Sequence, residues 1–400
     1  MWNSKESNAA KMTGVAVFFL TFFGLLFVGS SLPLFSLARA QLASLFFADD
    51  LTPQEIQERY WGKELTVLIV PGHDNVDGGT SYKGVYEAEY TAKIGEYLYD
   101  YLKQNAHIKP ILVRNRNGYV KEFADYFARE EPAIRNFITQ ARGRFQNLSS
   151  SGAVETLPPP IAHIRASSRT TKVLYGINKW ANERDVDIVI HIHLNDYPRK
   201  AWNTQYDGFS IYIPDPAFPN YAASRGIAES LKNTFAKYWA ESNLRLEEGT
   251  IIEDPDLIAL GSYGTLRAAS VLLEYGYIYE PRFQTELLLK EAAFRTYQGL
   301  LPYFGDTVVK DEFAWLLPYE WEKTVRYGAL KNNDVAAFQS ALLKLGFYPP
   351  SGSTFRDCPV SGNFKDCTQK ALGAFQDAHG IVDEAGVLGY KTRQTLNTLF

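Results

Sequence analysis

The 400-residue chain has no marked excess of charge of either sign and very little cysteine. It carries 41 basic and 45 acidic residues, which gives a formal net charge of -4 at pH 7. This balance excludes a large basic surface, so nucleic acid is not an expected partner. The only cysteines are Cys358 and Cys367. They lie close together, and the sequence leaves open whether they form one disulfide or remain free thiols in a loop.

One long stretch lacks charge altogether. No Asp, Glu, Lys or Arg occurs between residues 12 and 38, and Lys5 and Lys11 precede this apolar run. A run of this length can span a membrane, and the preceding lysines keep the short tail in the cytoplasm. The sequence therefore predicts export of the rest of the chain. A retained membrane anchor is the favoured interpretation, and signal cleavage after Ala40 is the alternative.

Outside this segment the composition is that of a globular protein, with 46% hydrophobic and 22% charged residues. Alternating strand and helix patterns predict an α/β fold with a mostly parallel, twisted sheet covered by helices on both faces. The predicted strands are 65–70, 110–113, 188–193, 208–213 and 270–275, and the predicted helices are 87–104, 172–183, 221–240 and 284–300.

The expected organisation has five parts. They are a tail with a transmembrane or signal segment (1–40), a stalk (41–64), a main domain (65–305) with an insertion at about 118–171, a linker (306–330) and a small domain (331–400).

Two histidines, His73 and His193, end short apolar strands. Strand ends and helix starts meet at the carboxyl edge of an open α/β sheet, and Glu87 stands at the head of the first predicted helix. Two imidazoles and one carboxylate form the ligand set of an open zinc site, which keeps a position for water. Glu89 is the runner-up carboxylate. His191 faces the same way as His193 because side chains alternate along a strand, so periodicity alone leaves it open as a ligand.

Four segments resemble the zinc-dependent N-acetylmuramoyl-L-alanine amidases, the amidase-3 family. In chain order they are 71–79 (PGHDNVDGG), 84–87 (GVYE), 191–195 (HIHLN) and 271–277 (VLLEYGY). The resemblance covers about residues 65 to 305. The chain departs from the family at Asp74 and Asn75, which replace two glycines, and at His191, which occupies a serine position.

This resemblance implies a peptidoglycan hydrolase that cuts the amide between N-acetylmuramic acid and L-alanine. It implies one zinc ion held by His73, Glu87 and His193, with Glu274 as the general base. His191 and Asn195 are the expected substrate contacts. Two other functions remain open, a wall-binding scaffold without activity and a zinc peptidase that cuts within the stem peptide.

The insertion carries a predicted helical part at 120–138 with Glu122, Asp125, Glu130 and Glu131. One hypothesis is a lid whose acidic side chain reaches the open metal position, and the alternative is a peripheral decoration.

The C-terminal region resembles the peptidoglycan-binding domain type 1, a small all-α module. The matching segments are 334–339 (DVAAFQ), 345–348 (LGFY), 362–364 (GNF) and 374–376 (AFQ). Three helices are expected near 334–345, 367–378 and 391–399. The resemblance implies peptidoglycan as a partner, which would hold the enzyme on its polymer and raise the local substrate concentration. An activator protein is a further candidate partner. The expected location is the cell envelope outside the cytoplasm.

Overall fold

The computed structural model describes residues 50–155, 166–196, 205–260, 267–306, 312–382 and 384–400. The strands are β1 (Leu65–Pro71), β2 (Ser81–Tyr82), β3 (Val85–Tyr86), β4 (Ile108–Leu112), β5 (Arg114–Asn115), β6 (Gly118–Tyr119), β7 (Ile188–Asn195), β8 (Ser210–Ile213), β9 (Ile251–Glu253) and β10 (Ala269–Tyr277). The α-helices are α1 (Pro53–Gly62), α2 (Glu87–Leu102), α3 (Lys121–Arg129), α4 (Glu131–Ser150), α5 (Ser168–Glu183), α6 (Tyr221–Phe235), α7 (Glu286–Leu300), α8 (Asn333–Lys344), α9 (Asp366–Ala378) and α10 (Tyr390–Leu399).

Six strands form the central sheet in the order β4-β1-β7-β10-β8-β9. The first four are mutually parallel, β8 is antiparallel to β10, and β9 is parallel to β8. The predicted mostly parallel sheet is therefore confirmed. The edge strand β9 was not predicted, because three half-buried residues are too few to show a period-two pattern.

Helices cover both faces of the sheet, as the alternating directions of the side chains along β1 show. Val67 and Ile69 belong to an apolar core that also contains residues of α1, α2, α6 and α7. Leu68 and Val70 point the other way and join a second core with Trp180 and residues of α3, α4 and α5. Successive side chains of a strand point to opposite faces, so one short apolar strand contributes to both cores.

The predicted stalk differs from the structure, because residues 53–62 form helix α1 and this helix packs on the main domain. Thr52 caps it in a capping box with Glu55. Ile56 and Tyr60 are one turn apart and fully buried. The ring of Tyr60 stacks on Phe304 with a centroid distance of 4.4 Å. The sequence from Pro53 onward is thus part of the main domain.

The insertion contains more helix than the predicted part at 120–138, since it forms two consecutive helices, α3 and α4, that extend to Ser150. Phe123, Tyr126 and Ile134 on these helices are buried together with Tyr175 and Trp180 of α5. The insertion therefore supplies much of one apolar core. It is not a decoration outside the fold.

The C-terminal unit contains the three expected helices, α8, α9 and α10, and packs against the main domain. The predicted linker does not run free between the two units, because Trp315 and Trp321 on it are buried. The Trp321 backbone N–H donates to Asn397 at 2.9 Å. On the other side, the buried guanidinium of Arg295 donates to the carbonyl of Glu312 at 2.6 Å.

Cys358 and Cys367 form a disulfide, which decides between the two alternatives that the sequence left open. Residues 1–49, including the predicted membrane segment and its cleavage position, lie outside the described residues. Among the helices of the described residues, none combines the length and apolar character needed to cross a membrane.

We expect Ile56→Ala to lower the free energy of unfolding by about 2–5 kcal/mol, because it leaves a cavity in the main core. Chemical denaturation of the purified protein measures this. Glu58→Ala, on the exposed side of the same helix, is the matched control and should change stability little. Equal stability of the two variants would mean that helix α1 is not part of the folded domain.

Candidate metal centre

Two neighbouring strands and one helix bring the predicted ligands to one edge of the sheet. β1 and β7 are parallel, with Pro71 paired to Ile192. His73 follows the end of β1 by two residues, and His193 lies near the end of β7. Glu87 is the first residue of α2. The three side chains, which are far apart in sequence, therefore meet at the carboxyl ends of the central strands, as expected.

The three side chains form a compact group. His73 Nε2 lies 3.1 Å from Glu87 Oε2, and His193 Nδ1 lies 3.0 Å from Glu87 Oε1. Taking one ligand atom from each residue, all three atoms lie within 4.8 Å of one another. Such a group could hold a metal ion. Its donor set of two imidazoles and a carboxylate fits a divalent ion of the zinc type.

Glu87 is the centre of this group and is buried. Its carboxylate also accepts hydrogen bonds from the backbone N–H groups of Leu194, at 3.1 Å, and Thr80, at 3.3 Å. Burial alone would raise the pKa of Glu87, but the two imidazoles outweigh it and hold the pKa well below its usual range. The carboxylate is therefore anionic and fixed in place before any ligand binds.

The backbone around the two histidines is shaped to bring them together. His73 has a φ of 61°, a left-handed conformation that is costly for a residue with a side chain and that clusters at functional sites. At Gly72 a Cβ atom would collide with the imidazole of His193, and at Gly79 one would collide with His73 and Glu87. Both glycines are therefore required for a close approach and not only for turn flexibility.

The two histidines on β7 differ in their surroundings, since His191 is buried and His193 is half-buried. Burial lowers the pKa of both, in the case of His191 to about 3. Both imidazoles are thus neutral near pH 7. His193 belongs to the three-residue group and His191 does not. Neither ring nitrogen of His191 makes a hydrogen bond of normal geometry within the described residues. His191 lines a cavity of about 130 Å³ together with His73 and His193.

Asp74, one of the departures from the family pattern, orders the loop that follows His73. It accepts hydrogen bonds from the backbone N–H groups of Val76 and Asp77, both at 2.8 Å, and from the hydroxyl of Tyr119 at 3.0 Å. Arg169 of α5 donates to both carboxylate oxygens, at 3.2 and 2.7 Å. Burial opposes ionisation, but these donors lower the pKa of Asp74 to about 2. The substitution therefore ties the metal-site loop to helix α5.

Glu274 lies beside the three-residue group without belonging to it. On β10 it pairs in register with His193 of β7, so the two side chains leave the sheet on the same face. Its Oε2 atom is buried and has no hydrogen-bond partner in the part of the chain that the structure describes. Burial first, and then the negative charges of Glu87 and Glu247, raise the pKa of Glu274 well above its usual range. A carboxyl group in such surroundings can both take up and release a proton.

Glu247 is a site residue that sequence reasoning missed. It is only 1% exposed and accepts a hydrogen bond from the side-chain amide of Asn195 at 2.7 Å. The hydroxyls of Tyr212, at 2.9 Å, and of Tyr277, at 3.4 Å, also donate to it, as does Ser242. The side chain of Asn195, one of the expected substrate contacts, is thus hydrogen-bonded to a buried carboxylate. No local pattern could have found Glu247, because the pair Glu247-Glu248 reads as an ordinary solvated turn.

The remaining acidic candidates lie elsewhere. Glu89 is exposed. Asp125 pairs with Lys121, Glu130 with Arg129, and Glu131 with Arg135 and Lys172. Within the described residues, none of the four acidic side chains named for the lid hypothesis, including Glu122, joins the group of His73, Glu87 and His193. The ion pairs of the insertion stabilise its own helices and their contact with α5.

Several solved structures are similar to this chain. An N-acetylmuramoyl-L-alanine amidase from Clostridium difficile 630 is 19% identical, with a TM-score of 0.40, over 62% of this chain and 100% of that one. The catalytic domain of CwlV from Bacillus (Paenibacillus) polymyxa var. colistinus is 16% identical, with a TM-score of 0.39, over 61% and 99%. The CwlD amidase from Clostridioides difficile, solved in complex with the GerS lipoprotein, is 14% identical, with a TM-score of 0.39, over 60% and 99%. No curated protein sequence matches the chain.

Two family profiles match consecutive parts of the sequence. The peptidoglycan binding domain profile matches residues 331–396. The N-acetylmuramoyl-L-alanine amidase profile matches residues 67–295, which is more than half of the 400 residues. All four segments singled out in the sequence, and the three converging side chains, lie inside that match. The chain therefore belongs to the amidase-3 family of N-acetylmuramoyl-L-alanine amidases.

Proposed function

We propose that this protein hydrolyses the amide between N-acetylmuramic acid and the L-alanine of the stem peptide, with one zinc ion held by His73, Glu87 and His193. The convergence of these three side chains on one point carries the proposal. A zinc ion bound there would acidify a water molecule and polarise the scissile carbonyl. The protein supplies an anionic Glu87 carboxylate and a neutral His193, so two of the three ligands are in the state that metal binding needs.

Glu274 is the residue that we propose moves the proton. As a carboxylate it takes a proton from the attacking water, whose oxygen forms the new bond to the carbonyl carbon. It then delivers that proton to the nitrogen of the leaving L-alanine, so that a neutral amine departs when the C–N bond breaks. Its buried surroundings raise the pKa of Glu274, which makes its carboxylate a stronger base toward the proton of the water.

Asn195 and His191 are the proposed substrate contacts. The side-chain amide of Asn195 is oriented by its hydrogen bond to Glu247. Substrate binding therefore costs less side-chain conformational entropy at Asn195. His191 is 1% exposed, so its proposed contribution is to line the cavity beside the metal group. Contact with bulk solvent is not required for that role.

The proposed organisation joins a catalytic domain at about 65–305 to a wall-binding domain at 331–400, with helix α1 added to the catalytic domain. Peptidoglycan is the partner of both. We propose that the protein acts outside the cytoplasm. Anchoring by residues 12–38 and stimulation by an activator protein stay predictions.

Incubation of the purified protein with peptidoglycan should release stem peptides whose first residue is L-alanine with a free amine, because the bond to the lactyl group is the one that is cut. Mass spectrometry of the soluble products identifies them. Products cut between two stem-peptide residues would show a zinc peptidase instead. Binding to sacculi with no released peptide, from protein of full zinc content, would show a scaffold.

Glu274→Gln should lower kcat by about 10²–10⁴ while the protein keeps its zinc, since the amide cannot carry the proton. His193→Ala should lose both zinc and activity, because a ligand is removed. Metal analysis and turnover on the same samples separate the two variants. A Glu274→Gln protein that digests cell wall at the parental rate would remove the general-base assignment.

Gly72→Ala should reduce zinc content and activity together, because the new methyl group displaces the imidazole of His193. Gly143→Ala is the matched control, since position 143 lies within helix α4 and has open space around it. That variant should retain full zinc and equal or slightly higher stability. Full zinc binding by Gly72→Ala would contradict the proposed geometry of the ligands.

A further inference from the structure

A second cavity, of about 280 Å³, lies where the catalytic domain meets the C-terminal unit. Its walls include Tyr82, Tyr206, Tyr279 and Trp239 from the catalytic domain and Phe355 and Arg356 from the C-terminal unit. The volume is close to the lower end of the range for small-ligand pockets, about 300–1,000 Å³. Nothing in the proposed reaction at the metal group uses this cavity.

The aromatic wall is held in place by contacts behind it. Tyr82 packs edge-to-face on Tyr279 with a centroid distance of 6.2 Å, and Tyr206 stacks on Tyr277 at 6.1 Å. The hydroxyl of Tyr279 donates to the backbone carbonyl of Tyr206 at 2.8 Å. Tyr82 and Tyr206 are half-buried, so part of each side chain remains accessible. The faces of such rings are electron-rich and attract the C–H bonds of a sugar ring.

The charged side chains of the cavity compensate one another. Arg356 pairs with Asp207 across the boundary between the two units, and Arg282 pairs with Glu280 at 3.1 Å. These four residues carry no net charge. They offer donors and acceptors for hydroxyl and acetamido groups, but no surplus of positive charge for a peptide with free carboxylates. The wall therefore suits a neutral sugar better than an acidic stem peptide.

Two sets of contacts connect the wall of this cavity to residues at or beside the metal group. Tyr82 lies on the β2-β3 hairpin, which leads directly into Glu87. Tyr277, behind Tyr206, donates its hydroxyl to Glu247, which also holds Asn195. The wall of the cavity is therefore built on the same elements that position Glu87 and Asn195.

We propose that this cleft binds an N-acetylated pyranose ring of the glycan strand, next to the muramic acid whose stem peptide is cut. The proposal rests on the proposed amidase function and assigns part of its substrate specificity. It also gives the C-terminal unit a second role, because Phe355 and Arg356 complete the wall of the cleft. The disulfide between Cys358 and Cys367 closes the loop that follows these two residues.

The test is a binding titration of chitotetraose, a neutral oligosaccharide of N-acetylglucosamine without peptide, on the full chain carrying Glu274→Gln. We expect Tyr206→Ala and Tyr82→Ala each to raise its Kd by about tenfold, the scale of one lost aromatic contact. Tyr206→Phe keeps the ring and should bind within about twofold of the parent. Tyr99→Ala, which removes a half-buried tyrosine of α2 that does not line the cleft, is the control and should leave the Kd unchanged. Unchanged binding in both Ala variants would overturn the proposal, as would displacement of chitotetraose by free stem peptide.

Kinetics give an independent measurement. On polymeric peptidoglycan, Tyr206→Ala should raise KM about tenfold with little change in kcat, because the lost contact is remote from the reacting atoms. On a muramoyl peptide with a single sugar, both parameters should match the parent. Equal losses on both substrates would overturn the proposal. The titration measures binding and requires no turnover. If the parental protein released no stem peptide, the proposed amidase function would be wrong, but the titration would still test whether the cleft binds a sugar.

Discussion

The structure of the site depends on one interaction, in which the buried carboxylate of Glu87 bridges the imidazole of His73, just after β1, and that of His193 on β7. Two backbone N–H groups also donate to it, so the anion is compensated from several sides at once. A carboxylate in an apolar interior is costly unless it is paired in this way. These contacts join the start of α2 to the carboxyl ends of β1 and β7. The strand order therefore determines which side chains lie close enough to contact Glu87.

Bringing three polar side chains to one point requires unusual backbone nearby. His73 adopts a left-handed conformation, and the two glycines leave no space for a methyl group. Strain of this kind persists only when surrounding contacts over-determine it. Asp74 provides several of those contacts, since it binds the loop's own N–H groups and Arg169. In this chain a departure from the family pattern thus adds an ion pair that steadies the metal-site loop.

Much of the fold and the grouping of His73, Glu87 and His193 could be predicted because both follow from local signals. Apolar strands ending in histidine and a helix beginning with Glu87 are visible in the sequence, and parallel strands bring such ends together. Glu247 could not be predicted, because its role arises from donors at positions 195, 212, 242 and 277 that only the folded chain assembles. The packing of α1 was missed for a related reason. Ile56 and Tyr60 give only one turn of apolar spacing, which is too short to distinguish a docked helix from a stalk.

The connection between the two units changes how wall binding would assist hydrolysis. A flexible linker would raise the local substrate concentration without constraining direction. Here Trp315 and Trp321 are buried on the linker, and Arg356 reaches Asp207 and the carbonyl of Glu241. The C-terminal unit is therefore held against the catalytic domain on the side where the aromatic cleft opens. Because the two units are fixed relative to each other, both can bind the same glycan strand only when that strand lies in one orientation. The gain from the binding module then depends on alignment of the polymer as well as on its affinity.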